Sequence, residues 1–157
     1  MYSFITPAYV IATAFTDGEY ISPEVVTQSE IEAAIERWIV PVVGRELLTK
    51  VASPEYQTLF SEMLMPAAAT AVRLEVQPRL NISTTQHGAR VVVGERNAAA
   101  DNTLRSELML SLRNHLRTQL LTLTDHLEQN AELYPEYHPR ENVLHKVAVY
   151  GGFVQIL

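Results

Sequence analysis

The sequence predicts a mainly α fold, a bundle of four or five helices with one projecting β-hairpin and an extended C-terminal arm. Apolar residues recur at helical spacing through most of the chain, and prolines and glycines punctuate those stretches where helices start and stop. Runs of β-branched residues are confined to two short regions. With 157 residues and 47% apolar content, the chain is long enough for one cored domain and too short for two ordinary ones. The division expected is a helical domain over 1–137, its hairpin at about 79–94, and an arm over 138–157.

Thr6-Pro7 reads as a cap followed by a first-turn proline, which opens a short helix over Pro7 to Phe15; Asp17-Gly18 stops it. Ser22 to Ser29 is a second start region, after which Ile31, Ala34, Ile35, Trp38, Ile39 and Val42 fall on one face. Pro41 should bend or close that helix, with Gly44 as the residue just past its end. A short amphipathic turn over Arg45 to Val51 follows. Ser53-Pro54-Glu55 then opens a longer helix carrying Tyr56, Leu59, Phe60, Met63, Leu64 and Ala67. Its Ala67 to Ala71 stretch is slim enough for another helix to approach closely, Pro66 predicts a kink and not a break, and Pro78 ends it.

Leu80 to Gln86 and Ala89 to Gly94 flank His87-Gly88, with Ile82 and Val91-Val92-Val93 supplying the β-branched residues of the hairpin. From Asn102 to Asn130 runs the strongest helical pattern: Leu104, Leu108, Leu112, Leu116, Leu120, Leu123 and Leu127. Such a rod is about 45 Å long, more than a domain of this size needs to cover its own core. Tyr134-Pro135 and His138-Pro139 break regular structure, and Val143 to Leu157 is apolar and strand-like. Trp38, Phe60, Leu64, Leu108, Leu112 and Leu116 are the expected core.

Composition excludes several functions. Cysteine is absent, which removes disulfides, thiolate metal sites and cysteine nucleophiles together. The first fifteen residues lack a basic start and run into Asp17 and Glu19, a poor signal peptide, and no apolar run approaches the roughly 20 residues of a membrane span. A formal charge of −6 argues against general nucleic-acid binding. Its distribution is uneven: residues 1–75 carry ten acids and four bases, whereas 76–127 carry six arginines against four acids.

No catalytic, metal or cofactor set emerges. His115 and His126 project to similar sides of the long helix but lie three turns apart, too far for one metal. Gly151-Gly152 lacks the lysine and following helix of a phosphate loop, and Glu32 with Glu36 fits a solvated face better than acid-base chemistry. Asn81-Ile82-Ser83 is a chance glycosylation match in a chain without a secretion signal. What needs explaining is surplus apolar surface. Ile82, Val91, Val92, Val93, Tyr150, Phe153, Val154 and Ile156 are therefore the candidate protein-interface residues, to be covered by neighbouring subunits.

The order of these features carries a resemblance. Phe4-Ile5-Thr6 with Tyr9-Val10, Ile39-Val40-Pro41-Val42-Val43-Gly44, Ser53-Pro54-Glu55-Tyr56, the hairpin about His87-Gly88, and Leu127-Glu128-Gln129-Asn130 before Tyr134-Pro135-Glu136-Tyr137 resemble a family of uncharacterised Bacteroidetes phage and prophage proteins. That family is similar in layout to the head-to-tail connector (adaptor) proteins of tailed bacteriophages. The resemblance implies a non-enzymatic structural protein that assembles without a cofactor into a homo-oligomeric ring between portal and tail or neck proteins, in the neck of the virion after assembly in the host cytoplasm. Double-stranded DNA would pass through it without sequence-specific binding, and no membrane would be involved. The alternatives are another neck or tail-completion protein, or a nucleic-acid-binding phage regulator using Arg79, Arg90, Arg96, Arg113 and Arg117.

Overall fold

The computed structural model describes residues 2, 4–16, 21–80, 82–85, 88–91, 102–150 and 153–156, with the backbone alone for the strand residues among them. The fold is mainly α. Five helical segments make its body: α1 (Pro7–Ala14), α2 (28–43), α3 (45–52), α4 (54–79) and α5 (Asn102–Gln129). Short 3₁₀ turns at Pro23–Val25 and Val143–His145 accompany them.

Local chemistry sets the helix starts. Thr6 is extended and its Oγ1 accepts the Tyr9 N–H at 3.3 Å, with Pro7 in the first turn of α1. At α2 the cap is Thr27. Its Oγ1 accepts the Glu30 N–H at 3.4 Å, and Glu30 Oε2 accepts the Thr27 N–H at 2.8 Å, so two orphan donors are satisfied reciprocally.

Each internal proline follows a widened turn. Pro41 comes after a π turn at Ile35–Ile39, and Pro66 after another at Phe60–Leu64. Proline lacks an N–H and its ring crowds the carbonyl four residues back; a turn widened to i→i+5 bonding accommodates both defects without breaking the helix. The expected kink at Pro66 therefore takes this form, and α4 runs on to Arg79. Gly44 adopts φ 82° and ψ 159°, a region essentially reserved for glycine, and its N–H reaches the Val40 carbonyl at 2.9 Å.

The centre of the body is α4, against which α1, α2 and α5 pack. Ala67, Ala68, Ala69 and Ala71 are all fully buried, the close approach that their small side chains permit. Arg73, 7% exposed, ties α1 down: its Nη1 donates to the Ala14 carbonyl at 2.5 Å, its Nε to Gln77 Oε1 at 3.1 Å, and its guanidinium lies 4.9 Å over the Phe15 ring. Of the expected core, Phe60, Leu64, Leu112 and Leu116 are buried, whereas Trp38 and Leu108 are only partly buried against it.

α5 outruns this body. Its buried side chains are Leu112, Leu116, Leu120, Leu123, Thr124 and Leu127, while Leu104 and Leu110 stand 57% and 59% exposed. After α5 the chain turns back. Tyr134 and Tyr137 are buried, and Tyr134 meets Tyr56 edge-on at 5.4 Å. The expected boundary at 137/138 falls inside this clamp, because Asn142 is buried and Val143 and Leu144 still pack on the core.

Two short strand pairs complete the described chain. Strand β1 (Ile82–Thr85) pairs antiparallel with β2 (Gly88–Val91), matching Ile82 with Val91. The arm does not stay singly extended: β3 (Val147–Tyr150) pairs antiparallel with β4 (Phe153–Ile156). The resulting register sets Val147 against Ile156 and Val149 against Val154.

Candidate functional site

A groove of about 460 Å³ opens between the second half of α2, the middle of α5 and the 143–144 turn. Leu116 and Leu120 form its floor from α5, Pro41 and Val42 come from α2, and Leu110, Arg113, Asn114 and Arg117 stand along its rim. The helical period puts Arg113 and Arg117 one turn apart on the same edge. Both are exposed, and among the described residues neither makes an ion pair.

Trp38 closes one end. Its indole N–H donates to Glu75 Oε1 at 2.7 Å, and Arg37 bonds the same carboxylate at 3.1 Å while lying 5.2 Å from the indole ring centre. The ring is therefore fixed with its apolar body at the groove and its polar tip satisfied.

Asn142 builds the opposite wall. Its side chain, 1% exposed, accepts the Leu144 N–H at 2.9 Å and donates to Thr124 Oγ1 at 3.1 Å and to the Tyr137 hydroxyl at 2.8 Å. Burial pushes the Tyr137 hydroxyl pKa up. Glu128 Oε1 in turn lies 3.3 Å from that hydroxyl and 2.6 Å from His145 Nε2. These bonds hold Val143 and Leu144 against α5.

A second fixed cluster lies at the far end of α5. Tyr56 donates its hydroxyl proton to Glu136 Oε2 at 2.6 Å, and Lys50 Nζ lies 2.8 Å from Glu136 Oε1. The bond to Glu136, reinforced by burial, pushes the Tyr56 pKa up to about 12. Lys50 and then Tyr56 hold the Glu136 carboxyl down at about 2. The Leu133 carbonyl sits 3.3 Å from the same tyrosine oxygen, so the turn bearing Glu132 and Leu133 is braced from below.

The structure brings some expected residues together and separates others. Arg113 and Arg117 share the groove, but Arg79 is ion-paired to Glu30 at the opposite end of α2, so the three do not form one basic stripe. Arg96 lies outside the described residues, as do Val92 and Val93; of Arg90, Ile82, Val91, Tyr150, Phe153, Val154 and Ile156 only the backbone is described. Glu36 is a structural ion-pair partner, accepting two bonds from Arg45 at 2.6 Å and one from Tyr2 at 2.7 Å. The Tyr2 bond, then Arg45, lower its pKa.

His115 lines a separate cavity of about 270 Å³ with Arg73, Ser111 and Gln119, whereas His126 lies 3.3 Å from the Tyr134 hydroxyl. Among the described residues no three His, Asp or Glu side chains are grouped to hold a metal. None of the described helices is long and apolar enough to cross a membrane.

Sequence reasoning missed Asn142, Arg73 and the Tyr56, Glu136 and Lys50 cluster, because their partners lie far along the chain. It also missed the groove, whose walls come from three separate segments. The one available signal was Arg113 and Arg117 beside an apolar stripe.

Residues 24–146 match a family of unknown function, DUF6712. The chain belongs to this family. The family region takes in α2 to α5, the clamp and every residue of the groove, and leaves α1 and the β3–β4 pair outside it. No curated protein and no solved structure matches the chain.

Proposed function

We propose that this chain is a structural virion protein, a head-to-tail connector that joins identical copies into a ring between portal and tail and lets double-stranded DNA pass. The observation that carries the reading is the mismatch between α5 and the body it serves. A helix of 28 residues, about 42 Å long, fully buries no side chain in its first ten residues and places an apolar groove beside two exposed arginines. A lone domain gains nothing from that surface, whereas copies packed side by side do.

In this reading the β1–β2 pair projects from the body and, with the β3–β4 pair, forms the arms that neighbouring copies cover. Isolated two-stranded ribbons are marginal in water, and their edges accept further strands. Ile82, Val91, Val92 and Val93 on one arm and Tyr150, Phe153, Val154 and Ile156 on the other remain the interface residues of the proposal. The surplus of acid suits a conduit that must repel phosphate and not grip it.

Sedimentation of the chain over a range of concentrations, alone and with portal particles, tests the role. The expected result is a ring, lost on removal of residues 147–157 while helix content is kept. A chain that stays monomeric under both conditions refutes it. The exposed Arg113 and Arg117 favour one other reading, a nucleic-acid-binding regulator, for which a salt-dependent gel shift is the signature. Other neck or tail-completion roles would share the assembly but not the ring.

A further inference from the structure

The groove has an occupant of matching chemistry elsewhere on the same chain. Leu133, 65% exposed, is the most exposed large apolar residue among those described. It sits on the braced turn after α5, its N–H bonded to the Asn130 carbonyl at 2.8 Å. Its neighbour Glu132 is exposed, and Glu136, three residues on, is paired with Lys50. Leu133 is thus an apolar knob beside the exposed carboxylate of Glu132, while the groove is an apolar hollow with Arg113 and Arg117 on its rim.

The two cannot meet within one molecule. Residues 117–129 of α5 already span about 18 Å, and Leu133 lies beyond that helix. Nor are the rim arginines Arg113 and Arg117 neutralised at home. Arg37, Arg45, Lys50 and Arg79 each bond a carboxylate of their own body, and Arg113 and Arg117 do not.

We infer that the groove of one copy receives the Leu133 corner of a second copy, with Glu132 facing Arg113 and Arg117 while Leu133 enters the apolar floor. The inference rests on the connector reading for the premise that copies associate, and it adds which surfaces meet. The contact joins two different patches, so it is head-to-tail. Repetition of such a contact closes into a ring when the rotation allows and extends as a filament otherwise. An arginine rim and a carboxylate knob also fix register, since like charges meet in any reversed docking.

The chain has no cysteine, so a disulfide can form only between introduced positions. Asn114 and Leu133 are both exposed, so changing them spares the core. The full chain carrying Asn114→Cys and Leu133→Cys, oxidised at high concentration, should give a covalent ladder of two, three and more copies. A mixture of the two single variants should give only a one-to-one dimer, because each copy offers one usable surface. Disulfide geometry requires Cα atoms within roughly 7 Å, which keeps the assay specific. Adding Arg113→Glu and Arg117→Glu should cut the ladder at least tenfold, and adding Glu132→Arg to those should restore it.

A double variant that stays monomeric while the unaltered chain forms rings overturns the contact and leaves the connector reading standing. A ladder indifferent to the charge reversals also overturns it. Loss of duplex binding on reversing the arginines, with no ladder, assigns the groove to nucleic acid instead. If neither ladder nor association appears, the contact is overturned, and sedimentation with portal particles judges the connector reading separately.

Discussion

Replacing Asn142 by alanine tests whether the clamp is part of the cooperative fold. The change deletes three hydrogen bonds, to the Leu144 N–H, Thr124 Oγ1 and the Tyr137 hydroxyl, at a site 1% exposed to solvent. A typical internal hydrogen bond contributes about 1 kcal/mol net, so the expected loss is about 3 kcal/mol. For a chain of this length that corresponds to a fall in Tm of about 6–12 °C, read by circular dichroism. Tyr137→Phe removes the hydroxyl that links Asn142 to Glu128, so the double variant should lose less than the two single losses added together. An Asn142→Ala loss below about 1 kcal/mol would mean that the 131–145 segment peels away independently, and the argument for a fixed groove wall would go with it.

Other expectations follow from single observations. Gly44→Ala should cost about 1–3 kcal/mol in urea unfolding although an added Cβ meets nothing within 4 Å, because the φ of 82° alone is the strain; an unchanged midpoint would refute that. Leu123→Ala, at a fully buried position, should cost about 2–5 kcal/mol, whereas Leu110→Ala, at one that is 59% exposed, should stay within about 0.5 kcal/mol; equal losses would remove the claim that α5 outruns the body. Glu136 has its folded pKa depressed to about 2, so its contribution is present above the ordinary carboxylate value of about 4.3 and is lost as pH falls through that window. Tyr56 is raised to about 12, so its contribution is complete below about 10 and is lost as pH rises through 12. Hydrogen exchange in the 131–137 turn should quicken at both extremes, and Tyr56→Phe should abolish the alkaline limb.

The legible parts of this fold were those whose chemistry is local. Thr6-Pro7, Gly44 and Pro78 mark helix ends through capping and φ restriction, which need no knowledge of distant residues. The leucine spacing likewise places α5 almost to the residue. Pro41 and Pro66 announce a disturbance, but the widened turns that absorb it depend on packing against α4 and α5. Trp38 aligns with a buried face in sequence, yet its N–H needs Glu75, on another helix, and the ring stops at the surface to reach it. Asn142 and Arg73 were invisible for the same reason: a buried polar side chain is explained only by partners that the fold supplies. Val92 and Val93, which the sequence assigns to the hairpin, lie outside the described residues.

Burial along α5 separates two things that helical periodicity joins. Spacing puts Leu104, Leu108, Leu112, Leu116, Leu120, Leu123 and Leu127 on one line, and the body covers that line fully only from Leu112 onward. Period therefore reports which residues align, while coverage depends on how far the neighbouring helices reach. The groove, with Arg113 and Arg117 on its rim, lies within the covered stretch, whereas Leu104 and Leu108 lie before it, beside Gln77, Pro78 and Leu80 at the end of α4. That ordering fits a helix divided between two tasks, its second half holding the domain together and its first half left for contacts outside it. Shortening α5 by removing residues 102–108 would then be expected to leave stability within about 1 kcal/mol while reducing association. A comparable loss of both would show that the first turns belong to the core after all.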